Sequence, residues 1–372
     1  MTLVILRSSA HAHPDWRRCG GGRRSEQLED ILRRHGIDWT DAAEARPATR
    51  LDWLRAAWYL RTTSPRIKMK PDRNLIRYLA SDYLRYRSTL RSASAPAVFL
   101  VEEAIDYPRI RAAHDMRTPI VAAPHNLETI QQTPPRDFYS GEELPFCLQR
   151  EIDFLALSRV VFCISREEQW LLANHGINAD FLPYHPPVST RDRLQRIRAA
   201  RVGTARTSEL FAFTTGNSTK NLEGLIALSE LVAAMPANSG FHLHVGGFET
   251  EKARRYFPTD RCTFHGEVDD ATLETLMIRC QASVVCQYSG AGALTRIPEL
   301  LCAGIPVLAT PHAARSAQHL DGVHIFHDAV ELLALSRSDP PIPRAPTPDT
   351  AAEDRFAGWI RRLAAEPRSD IR

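Results

Sequence analysis

Short apolar runs alternate with amphipathic stretches along most of this chain, and nothing else in it limits the possible folds so strongly. LVIL (3 to 6), AVFLVEEA (97 to 104), TPIVAAPHN (118 to 126) and RVVFCIS (159 to 165) are too short for buried helices and end in polar loops. Between and after them lie helical patterns such as SEQLEDILRRHGI and REEQWLLANHGI. A second series follows: LFAFTTG, NLEGLIALSELVAAM, FHLHVGG, CTFHGEV, DATLETLMIRC, ASVVCQY and IPVLAT. Strands that are apolar on both sides, each followed by a helix, predict parallel sheets with helices on both faces. The fold class is therefore α/β, with two Rossmann-like domains.

The break between the two series falls at PPVSTRDRLQRIRAARVGTARTS, which is Pro-led, Arg-rich and poor in core residues. Residues 1–188 are read as a first domain, 189–208 as a linker with a short basic helix inside it, and 209–350 as a second domain. The final helix, 352–366, is expected to pack back on the first domain. At 372 residues the chain is long enough for two cores.

Composition excludes several classes. A net charge of +3 is too small for a general nucleic-acid binder, so no nucleic-acid partner is expected. The seven cysteines (Cys19, Cys147, Cys163, Cys262, Cys280, Cys286 and Cys302) show no metal-like spacing and read as reduced thiols of a cytoplasmic protein. No stretch has the eighteen or so apolar residues of a membrane span, and nothing asks for export. His11 and His13 lack a third ligand and read as surface residues, so no metal is expected. From Arg61 to Arg91 nine Arg or Lys stand against two Asp, interleaved with Tyr78, Tyr83 and Tyr86. A solvated helix face is the default reading of that segment. Peripheral contact with an anionic membrane, through charge and interfacial aromatics, comes next.

Ligands of parallel sheets gather at the carboxyl ends of the strands. In the first unit, Gly20, Gly21 and Gly22 are read as a loop, with Ser25 as the N-cap and Gly36 as the stop of the following helix. Gly21 and Gly22 are assigned to the acceptor side. In the second half, Gly216, Asn217 and Lys220 lie between a strand and a helix, where backbone amides and a cation suit a phosphate. Gly290, Gly292 and Arg296 repeat that pattern in SGAGALTRIPELLCAGIPVLAT. Pro298 suits the first turn of the helix and Gly304 its end. Glu299 would oppose a phosphate, so it reads best as an acceptor for the two hydroxyls of a ribose.

TRIPELLCAGIPVLAT resembles the signature of the large family of retaining GT-B glycosyltransferases (the group 1 type), with a basic residue three positions before a glutamate and AGxPV after it. RCTFHGEVDDATLETLMIRCQASVVC, FTTGNSTKNLEGLIAL and SRVVFCISREEQWLLANHGINADFLP extend the likeness, which covers about 118 to 312. The resemblance implies the GT-B fold, two Rossmann-like domains with parallel sheets facing across a cleft, with 1–188 on the acceptor side and 209–350 binding the nucleotide sugar. It also implies a nucleotide-sugar-dependent hexosyltransferase acting with retention and needing no metal cofactor. By position, Glu299 would bind the ribose, Lys220 and Arg296 the diphosphate, and Val268 would lie beside the base. His125 would stand near the transferred sugar, making His125, Lys220 and Arg296 the catalytic set. The implied acceptor is a glycan or lipid-linked intermediate of bacterial surface polysaccharide, met at the inner face of the membrane. Two positions depart from the family pattern. Ala291 stands where a second acid is common, and Asn217 near a common arginine. A non-catalytic nucleotide- or glycan-binding subunit is thus the alternative, followed by a sugar-nucleotide epimerase.

Overall fold

The computed structural model describes residues 3–8, 20–40, 42, 49–63, 73–91, 97–102, 107–131 and 148–366. His11, His13, Cys19 and Cys147 lie outside them. The chain divides into two compact units, one of Met1–Pro183 with Asp349–Arg372 and one of Tyr184–Pro348.

The first unit runs β1 (Leu3–Ser8), α1 (Gly20–Arg34), β2 (Ile37–Thr40), α2 (Arg50–Thr63), α3 (Arg73–Arg91), β3 (Phe99–Val101) and α4 (Tyr107–Asp115). It continues with β4 (Ile120–Ala122), α5 (Glu128–Gln131), α6 (Leu148–Leu155), β5 (Val160–Cys163), α7 (Arg166–Asn174) and β6 (Ala179–Phe181). Its six parallel strands are ordered β2-β1-β3-β4-β5-β6. Successive side chains of a strand point to opposite faces. Ile5, Leu100, Val121 and Phe162 accordingly join one core layer, while Leu6, Phe99, Val101 and Val161 join another beneath α2, α3 and α4.

The second unit runs α8 (Val188–Gly203), β7 (Leu210–Phe213), α9 (Thr219–Ala234), β8 (Leu243–Gly246), a 3-10 turn at Thr250–Tyr256, β9 (Cys262–Gly266) and α10 (Asp270–Arg279). Then come β10 (Ala282–Val285), α11 (Arg296–Cys302), β11 (Val307–Ala309), α12 (Pro311–Ala314), β12 (Val323–Ile325) and α13 (Ala329–Ser336). Its strands are again parallel, in the order β12-β11-β10-β7-β8-β9. A last helix, α14 (Thr350–Ala365), returns to the first unit. Its Phe356 and Ile360 are fully buried in the layer with Ile5, and the Phe356 ring stands edge-on to Phe162 at 5.1 Å. Full burial of two such side chains stabilises this docking by roughly 1.5–3 kcal/mol each.

Three local readings need correction. Gly20, Gly21 and Gly22 are the first turn of α1 rather than a loop, and Ser25 is a buried residue inside that helix rather than its N-cap. The stretch read as a linker is largely the sixteen-residue helix α8, whose Leu194 and Ile197 join the core of the second unit. Its arginine content misleads because Arg201 is itself buried. The guanidinium donates to the carbonyls of Gly304 (3.0 Å), Cys280 (2.8 Å) and Gln281 (3.1 Å), so it fills a polar socket among helix and strand ends. Burial pulls its pKa down to about 10. Finally, Tyr83 and Tyr86 point into the first unit's core, where Tyr83 donates to Asp115 at 2.9 Å. They are not available as interfacial anchors. Among the described residues no helix is long and apolar enough to cross a membrane.

Candidate functional site

Both sheets contain a point where strand order reverses, and such points open a crevice at the carboxyl ends of the strands. In the second unit it lies between β7 and β10. The predicted nucleotide-sugar residues follow β7, β9 and β10, so parallel pairing brings all of them to one edge of the sheet.

After β7, Gly216 is the tightest position. A side chain there would meet the Glu249 carbonyl at 2.1 Å, and the Gly216 amide donates to Phe248 O at 2.7 Å. Its glycine is thus required by the neighbouring loop, and its amide is spent on protein. Asn217 is exposed. Ser218 is the N-cap residue of α9; its side chain makes no hydrogen bond to that helix, while its carbonyl accepts from Asn221 (3.1 Å) and Leu222 (3.0 Å). Lys220 sits half-buried in this first turn. An anion is favoured at such an end by the helix dipole and by the lysine.

The loop after β10 packs beside α9. Ser289 Oγ lies 3.3 Å from Glu223 Oε2, and Gly224 abuts the Cys286 carbonyl so closely that a Cβ would stand 2.2 Å from it. Gly290 and Gly292 adopt φ of 109° and 70°, which side-chain-bearing residues rarely reach. Arg315 donates to Gly292 O at 2.7 Å and holds the loop in place. Ala291, between the two glycines, is half-buried and brings no charge.

Arg296 opens α11 and reaches back to the end of β7, donating to Thr214 Oγ1 at 2.9 Å and to Phe213 O at 3.4 Å. Its Nε is buried without a partner. Burial lowers its pKa to about 10, so the guanidinium stays charged at neutral pH. Glu299 follows one turn later and is half-buried, with Tyr184 donating to its Oε1 at 2.6 Å. Val268, two residues after Gly266, is half-buried beyond β9. Arg296, Lys220, Glu299, Val268 and the two loop glycines thus share one end of the sheet. Asn217 stays in solvent.

The first unit's reversal lies between β1 and β3, and the described residues at its carboxyl edge form a polar network. Arg7 pairs with Glu102 and, at 2.6 Å, with Glu29. Ser25 on α1 donates to Glu102 and lies 3.2 Å from His125 Nε2, which is 3.5 Å from Glu102 Oε2. A hydroxyl already donating to a carboxylate must accept from the imidazole, so the network assigns the proton to Nε2 of His125. Burial opposes the charge of Glu102, yet Arg7 and His125 hold its pKa well below the usual carboxylate range. Burial likewise opposes the charge of Arg7, and its two acids more than offset that. The helix begun by Gly21 and Gly22 therefore reaches His125 through Ser25. Sequence reading named the glycines and the histidine but missed Arg7, Ser25 as a partner and Glu102. A charged residue in an otherwise apolar first strand was the available signal.

The five described cysteines are free and buried. Burial pushes Cys262, Cys280 and Cys286 up to about 12 and Cys302 to about 11, which makes them inert as nucleophiles near neutral pH.

These features define the class: an α/β protein of two Rossmann-like parallel sheets, the GT-B fold, with a cationic, glycine-bordered cradle at the reversal point of the second sheet. Known structures agree on the fold. A trehalose-phosphate synthase (UDP-forming) from Burkholderia vietnamiensis is 13% identical over 98% of this chain and 97% of its own, with a TM-score of 0.58. Sucrose-phosphate synthase from Thermosynechococcus elongatus is 15% identical over 97% and 94%, at 0.56. HepE from Anabaena, in complex with UDP and glucose, is 13% identical over 98% and 95%, at 0.55. Identities this low establish likeness of fold. No protein-family model matches the chain, and no curated protein matches it by sequence.

Proposed function

We propose that this protein is a glycosyltransferase that binds a nucleotide-activated sugar in its second unit and transfers the sugar with retention. The observation that carries this reading is the grouping of Lys220, Arg296 and Glu299 at the reversal point between β7 and β10, beside the positive-φ glycines Gly290 and Gly292. Two cations and an uncapped helix start suit a diphosphate, and a carboxylate suits the neighbouring ribose. The binding of UDP and glucose by a protein of the same fold supports that choice of ligand. In front-face displacement the departing diphosphate helps to deprotonate the acceptor, so the protein must chiefly stabilise developing charge on the phosphate. Lys220 and Arg296 take that role, and His125, oriented by Ser25 and Glu102, contacts the transferred sugar. No metal enters this reading. A hexose is proposed for the sugar, and a glycan or lipid-linked intermediate of bacterial surface polysaccharide for the acceptor, met at the cytoplasmic face of the membrane.

A second reading rests on Ala291. Without an acid at that place the pocket would bind nucleotide yet fail to turn over, as a non-catalytic subunit. A thermal-shift screen with UDP, GDP, ADP and TDP sugars, followed by transfer assays, separates the two. Stabilisation with sugar transfer or slow hydrolysis supports the enzyme, stabilisation without any turnover supports the subunit, and no stabilisation removes both.

A further inference from the structure

A cluster at the opposite end of the second sheet is unrelated to the cradle. Glu209 immediately precedes β7, His242 immediately precedes β8, and His244 is the second residue of β8. Residues two apart on a strand share a face, so the two imidazoles point the same way. One donor atom from each of Glu209, His242 and His244 lies within 4.8 Å of those of the other two, and all three residues are half-buried. His244 Nε2 stands 3.3 Å from Glu209 Oε2.

The rings are also held from behind. His244 Nδ1 lies 2.9 Å from His265 Nε2 on β9, and His242 Nε2 lies 2.9 Å from Thr263 Oγ1 on the same strand. The His242 and His244 rings are 5.1 Å apart, as are those of His244 and His265. Metal-bound histidines commonly engage their second ring nitrogen in this manner, which fixes tautomer and orientation.

We propose that Glu209, His242 and His244 bind one divalent transition-metal ion of the Zn²⁺ class, with His265 and Thr263 orienting the two imidazoles. Two nitrogens and one oxygen suit zinc and leave a fourth position for water; they do not suit Mg²⁺, which prefers an all-oxygen shell. The ion would tie the start of β7 to β8. It lies at the amino ends of the strands, away from Lys220, Arg296 and Glu299, and is independent of the proposed transferase activity.

The test uses the tag-free full chain, stripped with chelator and titrated with ZnCl₂ by calorimetry, with Mg²⁺ as a parallel arm. The expected result is one Zn²⁺ per chain, no binding of Mg²⁺ at the same concentrations, and at least tenfold weaker zinc binding in Glu209→Gln and in His244→Ala. If His244→Ala fails to fold, His242→Ala supplies the same comparison. Cobalt substitution adds a spectroscopic readout, with visible d–d bands in the wild type that are lost in the variants. Absence of zinc binding in the wild type would overturn the proposal. So would equal zinc affinity in wild type and variants, since the ion would then sit elsewhere.

Discussion

The two sheets share one plan and use their reversal points in opposite ways. At the first, between β1 and β3, charges are matched internally: Arg7, Glu29, Glu102, Ser25 and His125 form a network whose members satisfy one another. At the second, between β7 and β10, Arg296 keeps a buried Nε without a partner and α9 starts without a side-chain cap. The same topology thus carries a network of matched charges in one unit and the residues proposed to hold a nucleotide in the other.

The sharpest way to break this comparison is at Glu102. Glu102→Ala would leave Arg7 with only its half of the network in a dry site, and removing one member of a buried ion pair costs about 3–5 kcal/mol. Chemical denaturation should register that loss, while nucleotide affinity of the folded fraction stays unchanged. A loss below about 1 kcal/mol would mean that the first reversal point is not sealed. Acid titration tests the same site. The folded-state pKa of Glu102 lies below its ordinary value of 4.5, so its stabilisation is complete above that value and is lost as pH falls further. Glu102→Gln should flatten this part of the stability profile below about pH 4.5.

Smaller effects sharpen the receptor side. Lys220→Ala and Arg296→Ala should each weaken binding of a nucleoside diphosphate by about tenfold, or about 1.4 kcal/mol, and leave the free nucleoside unaffected. Equal losses for both ligands would remove the phosphate role. Tyr184→Phe deletes the hydroxyl that donates to Glu299 and should change nucleotide affinity by only about 0.5–1.5 kcal/mol. A much larger change would make Tyr184 a ligand contact in its own right.

The alternation of strands and helices was legible because parallel strands buried on both faces must be apolar throughout, as VVFC at Val160–Cys163 shows. The cap at Ser165 was also legible, being a local bond to the amide of Glu168. The start of α1 was not. Three glycines carry no side chain with which to announce a helix, and Ser25 resembles a cap while in fact serving Glu102. A short basic helix was expected at α8, but its packing into the core was hidden for another reason: an arginine buried among carbonyls looks, in one dimension, like a solvated one. Among the residues proposed for the site, Lys220, Arg296 and Glu299 fall after β7 and β10, so their shared end of the sheet follows from the order of strands and helices along the chain. Tyr184 donates to Glu299 from 115 positions away, and Arg7 meets Glu102 across 95. Such pairs appear only once strand order is known. The Glu209, His242 and His244 cluster escaped notice likewise, because it depends on β7 and β8 lying side by side.

The central claim is that the second unit grips a nucleotide through the carboxylate of Glu299 as well as through its cations. Calorimetric titration of wild type and Glu299→Ala with the best-stabilising nucleotide sugar tests it most directly. The account predicts that the folded variant binds about 1.5–3 kcal/mol more weakly, the range for hydrogen bonds to a charged group. Undiminished affinity in a variant that melts like the wild type would contradict it.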